Sequence, residues 1–189
     1  KITTEASDFH EFATPKYAID ILIPFLKEKG FKYVWECACG LGHITNVLEE
    51  NGFDVYQSDI ERFTNNKGEV HKIDFVNYYK LPDESIDVII TNPPYNLKDD
   101  FIELCYFHKI PFALLMPIKA LGAKRRINMY KKHGIELLIP DTRINFIYYE
   151  NKARNWFHTA WFCSGILPET IVFKRMDKDD KNSLQCRFE

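Results

Sequence analysis

The sequence has no apolar run near the roughly 20 residues a helix needs to cross a bilayer, which excludes a helical membrane span. It has no internal repeat and no low-complexity stretch, so solenoid and linker architectures are excluded as well. Strong charge of one sign is also missing. A net charge of −2 argues against a protein that coats nucleic acid without specificity, though it leaves room for a local basic face. Cysteines are few and odd in number: Cys37, Cys39, Cys105, Cys163 and Cys186 are scattered, mostly in apolar runs. That pattern excludes a disulfide framework and reads as reduced, buried thiols of a cytoplasmic protein. No second Cys or His pair stands at zinc-finger spacing from Cys37 and Cys39, so no metal site is expected. The chain opens Lys1-Ile2-Thr3-Thr4 without an initiator Met or an apolar leader, and the start reads as trimmed or processed.

What is there is the length of one domain, 189 residues, with 46% apolar residues, enough to bury a substantial core. Strand and helix patterns alternate, which predicts a mostly parallel sheet with helices on both faces. Thr14-Pro15 caps a helical stripe of Tyr17, Ile21, Leu22, Phe25 and Leu26, bent by Pro24 and closed by Gly30. Strands are expected at Tyr33–Cys37, Asp54–Ser58, Glu69–Ile73, Ile86–Ile90 and Phe112–Met116, with a helix from His43 to Glu50. Ile135–Ile139, Phe157–Cys163 and Ile171–Lys174 are further strand candidates without a predicted order, and the tail from Arg175 is expected to fray.

Gly40 and Gly42 stand in a turn between the first strand and its helix, where backbone amides approach a ligand closely. The third glycine of a dinucleotide fingerprint is missing, which disfavours pyrophosphate. Glu36, four residues before Gly40, repels phosphate and suits an ammonium group instead. Asp59 ends the second strand, placed to accept from both ribose hydroxyls, and Asp74-Phe75 ends the third with an acceptor for an adenine amine and an aromatic wall. Each acid alone reads as an ordinary strand end. Three at the carboxyl ends of successive strands read as a ligand site.

Asn92-Pro93-Pro94-Tyr95 follows a buried strand directly. Two prolines fix the backbone and remove two donors, so the loop presents acceptors in a defined shape. The Asn92 oxygen and the Pro93 carbonyl suit one NH2 group, and Tyr95 suits the flat ring that carries it. In isolation, the plainer reading is a rigid Asn-Pro turn with Tyr95 as packing.

Glu36-Cys37-Ala38-Cys39-Gly40-Leu41-Gly42 and Asn92-Pro93-Pro94-Tyr95 together resemble the Rossmann-like class I methyltransferases, in particular the amino-methyltransferases of adenine-N6 DNA methylase type. Phe12-Ala13-Thr14-Pro15 is similar to a segment that precedes the first strand in one circular order of that family. The resemblance runs from about residue 9 to 120 and more loosely to Trp161. It implies an α/β fold with a mostly parallel seven-stranded sheet flanked by helices on both faces. It implies S-adenosyl-L-methionine as cofactor, with Glu36 at the methionine end, Asp59 at the ribose and Asp74-Phe75 at the adenine. Thr14, Pro15, Ala38, Gly40, Gly42, Ile60 and Asn92 complete the implied cofactor contacts, and Asn92, Pro93, Pro94 and Tyr95 the catalytic set. The implied reaction is in-line methyl transfer to an exocyclic amine, which needs no covalent nucleophile. The loop has no Pro-Cys pair, so carbon-5 cytosine methylation is disfavoured.

Residues 1–175 are expected to form a single catalytic domain, followed by a charged tail 176–189, with no separate target-recognition domain. Only about 70 residues follow Met116, and the sheet takes some of them. Lys119, Lys124, Arg125, Arg126, Lys131 and Lys132 run without an intervening acid and suit phosphates of a nucleic acid. They equally suit a solvated helical face. Thr142-Arg143-Ile144-Asn145-Phe146 with Lys152, Arg154, Trp156 and Phe157 mixes cations with rings, and core packing is the plainer reading there. DNA adenine is the leading substrate. An RNA base amine, a protein glutamine amide, cytosine N4 and a silent subunit beside an active partner remain the alternatives, and a partner subunit for target recognition fits the lead.

Overall fold

The computed structural model describes residues 13–61, 64–65, 68–146 and 157–176. The chain enters through α1 (Lys16–Asp20) and α2 (Ile23–Glu28), where one bent helix is expected from the sequence. Pro24 has no amide for the Asp20 carbonyl and its ring crowds that oxygen, so α1 stops at Asp20 and Pro24 sits in the first turn of α2. Next come β1 (Tyr33–Glu36) and α3 (His43–Glu50), which buries Ile44, Val47 and Leu48 and ends at Asn51-Gly52 with Gly52 at φ 87°.

β2 (Asp54–Asp59) is followed by a small antiparallel hairpin of β3 (Thr64–Asn65) and β4 (Gly68–Glu69), then β5 (His71–Lys72). The sequence predicts one strand from Glu69 to Ile73. Instead Glu69 pairs back on the hairpin and only His71 and Lys72 reach β2. After β6 (Val88–Thr91) come α4 (Lys98–His108), β7 (Phe112–Pro117), α5 (Lys124–His133), β8 (Glu136–Pro140), β9 (Thr159–Ser164) and β10 (Ile171–Lys174).

One sheet runs β10-β8-β9-β7-β6-β1-β2-β5, parallel throughout except for β9, which is antiparallel to both β7 and β8. Tertiary pairing thus supplies the order of the last strands, and β10 extends the sheet beyond the expected seven strands as an eighth at its edge. β6 and β7 are buried at every position, as parallel strands covered on both faces must be.

The period of two then sorts each strand into two cores. Val34, Val88, Ile90, Ala113, Leu115 and Trp161 face α1, α2 and α3. Trp35, Ile89, Phe112, Leu114, Met116 and Phe162 face Phe101, Ile102 and Leu104 of α4. Trp161 is fully buried and its indole N–H donates to the Ala18 carbonyl at 2.7 Å, which fixes α1 against β9. The Glu136 carboxylate accepts from the amides of Gly165, Ile166 and Leu167 at 2.8–3.0 Å and shapes the turn after β9. Cys37, Cys39, Cys105 and Cys163 are buried, and Cys186 lies outside the described residues. The tail expected to fray from Arg175 is held at its start, where Met176 is buried and its amide donates to Asp141 at 3.1 Å; residues 177–189 lie outside the described residues. Among the described residues no helix is long and apolar enough to cross a membrane.

Candidate active site

The strand order reverses between β1 and β6: from β1 the chain builds outward to β5, then returns to lay β6 on the other side of β1. A crevice therefore opens at the carboxyl ends of these strands, where open α/β sheets take their ligands. It is a cavity of about 490 Å³, large enough for a nucleoside-sized ligand. Of the residues singled out from the sequence, Thr14, Glu36, Ala38, Gly40, Asp59, Ile60, Asp74, Phe75, Asn92, Pro93, Pro94 and Tyr95 all line it. Pro15 and Gly42 do not. Pro15 is the residue before α1 and Gly42 the residue before α3, so both shape the wall through the backbone alone. Phe12 lies outside the described residues.

The glycine turn is built to bring chain and ligand close. Gly40 and Gly42 hold φ of 49° and 79°, a left-handed conformation that side chains resist. Asp59 locks it from β2: one carboxylate oxygen accepts from the Gly40 amide at 2.9 Å, the other from the Glu61 amide at 3.2 Å. Burial raises the Asp59 pKa, against the pull of those amides.

Glu36 is only 1% exposed. Its carboxylate accepts from the Thr45 hydroxyl and backbone amide in the first turn of α3, yet desolvation still pushes its pKa up to about 8. Asp59 adds a smaller push in the same direction. Two acids whose pKa burial raises face one cavity, and a cation entering there favours the charged form of both. Thr45 is a site residue that sequence reasoning missed; only its place three residues after Gly42, on the first turn of the helix, could have signalled it.

Asp74 is half-buried and accepts from Asn77 at 2.6 Å, just before the short 3-10 turn Phe75–Asn77. Phe75 packs edge-on against Trp35 with centroids 5.2 Å apart, and Trp35 donates to Ser58 at 2.8 Å. The wall beside Asp74 is thus held by a rigid aromatic stack.

At the mouth, the Asn92 amide nitrogen donates to the Thr14 hydroxyl at 3.2 Å, across 78 residues of chain. Among the described residues its carbonyl oxygen is buried without a hydrogen-bond partner. An orphaned buried acceptor is costly unless something completes it. Tyr95 follows two prolines, and Lys98 donates to its carbonyl at 2.9 Å. Phe157 meets Tyr95 edge-on at 6.0 Å, and Lys119 Nζ sits 5.6 Å from the Phe157 ring centre. Phe157 thus stands at the site rather than in the core, whereas Ile144 and Phe146 are core residues. Lys152, Arg154 and Trp156 lie outside the described residues.

The expected basic run needs correction. Arg125 bridges Asp100 and Glu103, and Arg126, 8% exposed, is held by Asp99 and by the Ala120 carbonyl at 2.7 Å. The acids missing from the run in sequence come from α4, packed alongside. Lys119, Lys124, Lys131 and Lys132 remain exposed.

Two solved structures share this architecture. One is a chain described as a modification subunit of a type I restriction enzyme from Vibrio vulnificus, at a TM-score of 0.58 and 12% identity, covering 94% of this chain and 49% of that one. The other is described as an RNA methyltransferase from Pyrococcus horikoshii, at a TM-score of 0.58 and 16% identity, covering 88% and 93%. The fold is that of the class I methyltransferases. This chain spans about half the length of the Vibrio vulnificus chain. A Lactococcus lactis chain described as a hemolysin shares the class I fold at a TM-score of 0.53 and 12% identity, covering 83% and 91%. No family model matches the sequence, and no curated protein does.

Proposed function

We propose that this chain is an S-adenosyl-L-methionine-dependent methyltransferase that methylates the exocyclic N6 amine of adenine in DNA. The observation that carries the reading is the Asn92 carbonyl oxygen, buried without a donor among the described residues at the mouth of a cavity floored by two acids whose pKa burial raises. A primary amine on a flat ring completes that acceptor, and the Pro93 carbonyl takes its second N–H. Tyr95, on the rigid loop, offers its face to the ring.

The cavity fits the cofactor. Glu36 suits the methionine ammonium, Asp59 the ribose hydroxyls, and Asp74 with Phe75 the adenine. The cofactor, when bound, supplies an electrophilic methyl carbon. The chain's own contribution is to orient: Asn92 and Pro93 draw electron density toward the target nitrogen and fix its approach, and the closed glycine turn excludes water from the far side. No side chain need form a covalent bond.

Nucleic acid as the substrate is supported by the exposed Lys119, Lys124, Lys131 and Lys132, and by the modification-subunit and RNA-methyltransferase descriptions of two chains with this fold. On this reading residues 1–175 form one catalytic domain and a partner subunit supplies target recognition. The test is methyl transfer from labelled cofactor to duplex DNA, single-stranded DNA, total RNA and protein extract, with digestion and mass identification of the product. N6-methyladenine in DNA is expected. Label confined to RNA or protein would keep the site and replace the substrate. Asn92→Ala should reduce turnover about 100-fold or more with cofactor affinity nearly unchanged, as for a lost transition-state contact. Wild-type turnover in that variant would remove the loop from the reaction.

A further inference from the structure

Thr14 and Asn92 meet at the wall of the cavity, and each stands directly before a proline, Pro15 and Pro93. A following proline confines the backbone of the residue before it to the extended region. Thr14 is also β-branched, which narrows its side-chain torsion, and it is only 4% exposed. Their hydrogen bond therefore joins two stretches of backbone with little freedom, one just before α1 and one just after β6.

An Asn side chain has two ends of opposite character, a carbonyl oxygen that accepts and an NH2 that donates. Turned one way, Asn92 offers the cavity an acceptor. Turned the other way, it sets a donor there, against the N–H groups of an incoming amine. In the structure the NH2 end donates to the Thr14 hydroxyl at 3.2 Å, which leaves the oxygen as the end without a partner among the described residues.

A hydroxyl holds a single proton and can serve either end of an amide. In the observed direction that proton stays available to an acceptor in the cavity that Thr14 lines, since among the described residues the hydroxyl makes no second hydrogen bond. In the reversed direction the proton is spent on Asn92, and the NH2 end loses its acceptor. A ligand that accepts from Thr14 therefore favours the direction observed.

We infer, on the strength of the proposed function, that Thr14 is a positioning residue: by accepting from the Asn92 NH2 it turns the Asn92 oxygen toward the target amine, and so governs turnover without touching that amine. A residue of this kind acts through Asn92 alone, and its effect vanishes when Asn92 is removed.

Two measurements test this. The first needs neither cofactor nor substrate: hydrogen exchange of the Asn92 side-chain amide, read by NMR on the chain isotope-labelled in asparagine and assigned by its loss in Asn92→Ala. Exchange should be about fivefold or more faster in Thr14→Val, which removes the acceptor, and near the wild-type rate in Thr14→Ser, which keeps it. The second is turnover at saturating cofactor, so that a lost cofactor contact appears in KM alone, on whichever of DNA, RNA or protein the wild type labels. Thr14→Val should lower kcat about tenfold, and Thr14→Ser should recover most of that loss. In the Asn92→Ala background Thr14→Val should lower kcat no further, because the group it orients is already gone. Equal exchange in the wild type and Thr14→Val overturns the inference, as does a loss that adds in full to that of Asn92→Ala. A wild type that labels nothing sinks the proposed function and the inference together; an active wild type with an unimpaired Thr14→Val sinks the inference alone.

Discussion

Replacing Glu36 by Gln should abolish a pH dependence of stability that the wild type carries in the cofactor-free state. Glu36 is wholly buried and its pKa rises from an ordinary 4.5 to about 8. The folded chain therefore binds this proton more tightly than the unfolded chain does. Stability from this group is complete below about pH 4.5 and is lost as pH rises through 8. At about 1.36 kcal/mol per pH unit the full swing is about 5 kcal/mol, an upper figure because water and the Thr45 hydroxyl relax around the charge. Between pH 6 and pH 8 the wild type should lose about 2–3 kcal/mol relative to Glu36→Gln. Urea unfolding of both proteins at the two pH values, followed by tryptophan fluorescence, reads that difference directly. On the proposed function the cofactor ammonium then favours the carboxylate, so wild-type affinity should rise with pH relative to the variant, approaching tenfold per unit. A wild-type to variant difference that stays constant within about 0.5 kcal/mol across this range would refute the argument, because it would mean that Glu36 titrates as a solvated carboxyl.

The basic segment separates into two kinds of cation. On the proposed function, Lys131→Ala and Lys132→Ala should leave stability unchanged and each reduce the salt dependence of DNA binding by a slope of about 0.9, whereas Arg126→Ala should lower the unfolding free energy and leave that slope alone. Glu136→Ala should cost about 2–4 kcal/mol by urea denaturation, since three amides lose a charged acceptor together. Trp161→Phe keeps the ring but strands the Ala18 carbonyl, and a loss of about 1–3 kcal/mol with no change in cofactor affinity is expected.

The sequence by itself determined the strand-helix alternation, the three acids at strand ends and the proline-fixed loop after β6. These follow from local rules: apolar period, glycine in left-handed turns, and proline's fixed dihedral. α3 is found at the predicted residues, and the acids, the Gly40 turn and Asn92 share one cavity because each ends a strand on the same side of the sheet. Tertiary structure alone decided the rest. The order of β8, β9 and β10 depends on which edges pair, and no short-range pattern encodes a partner dozens of residues away. That Arg125 and Arg126 are paired depended on Asp99, Asp100 and Glu103, which arrive from a neighbouring helix. Thr14 bracing Asn92 and Phe157 standing against Tyr95 are long-range contacts of the same kind. Which acids are charged was also beyond the sequence, because a pKa is set by burial and by neighbours that exist only once the sheet has closed over Glu36.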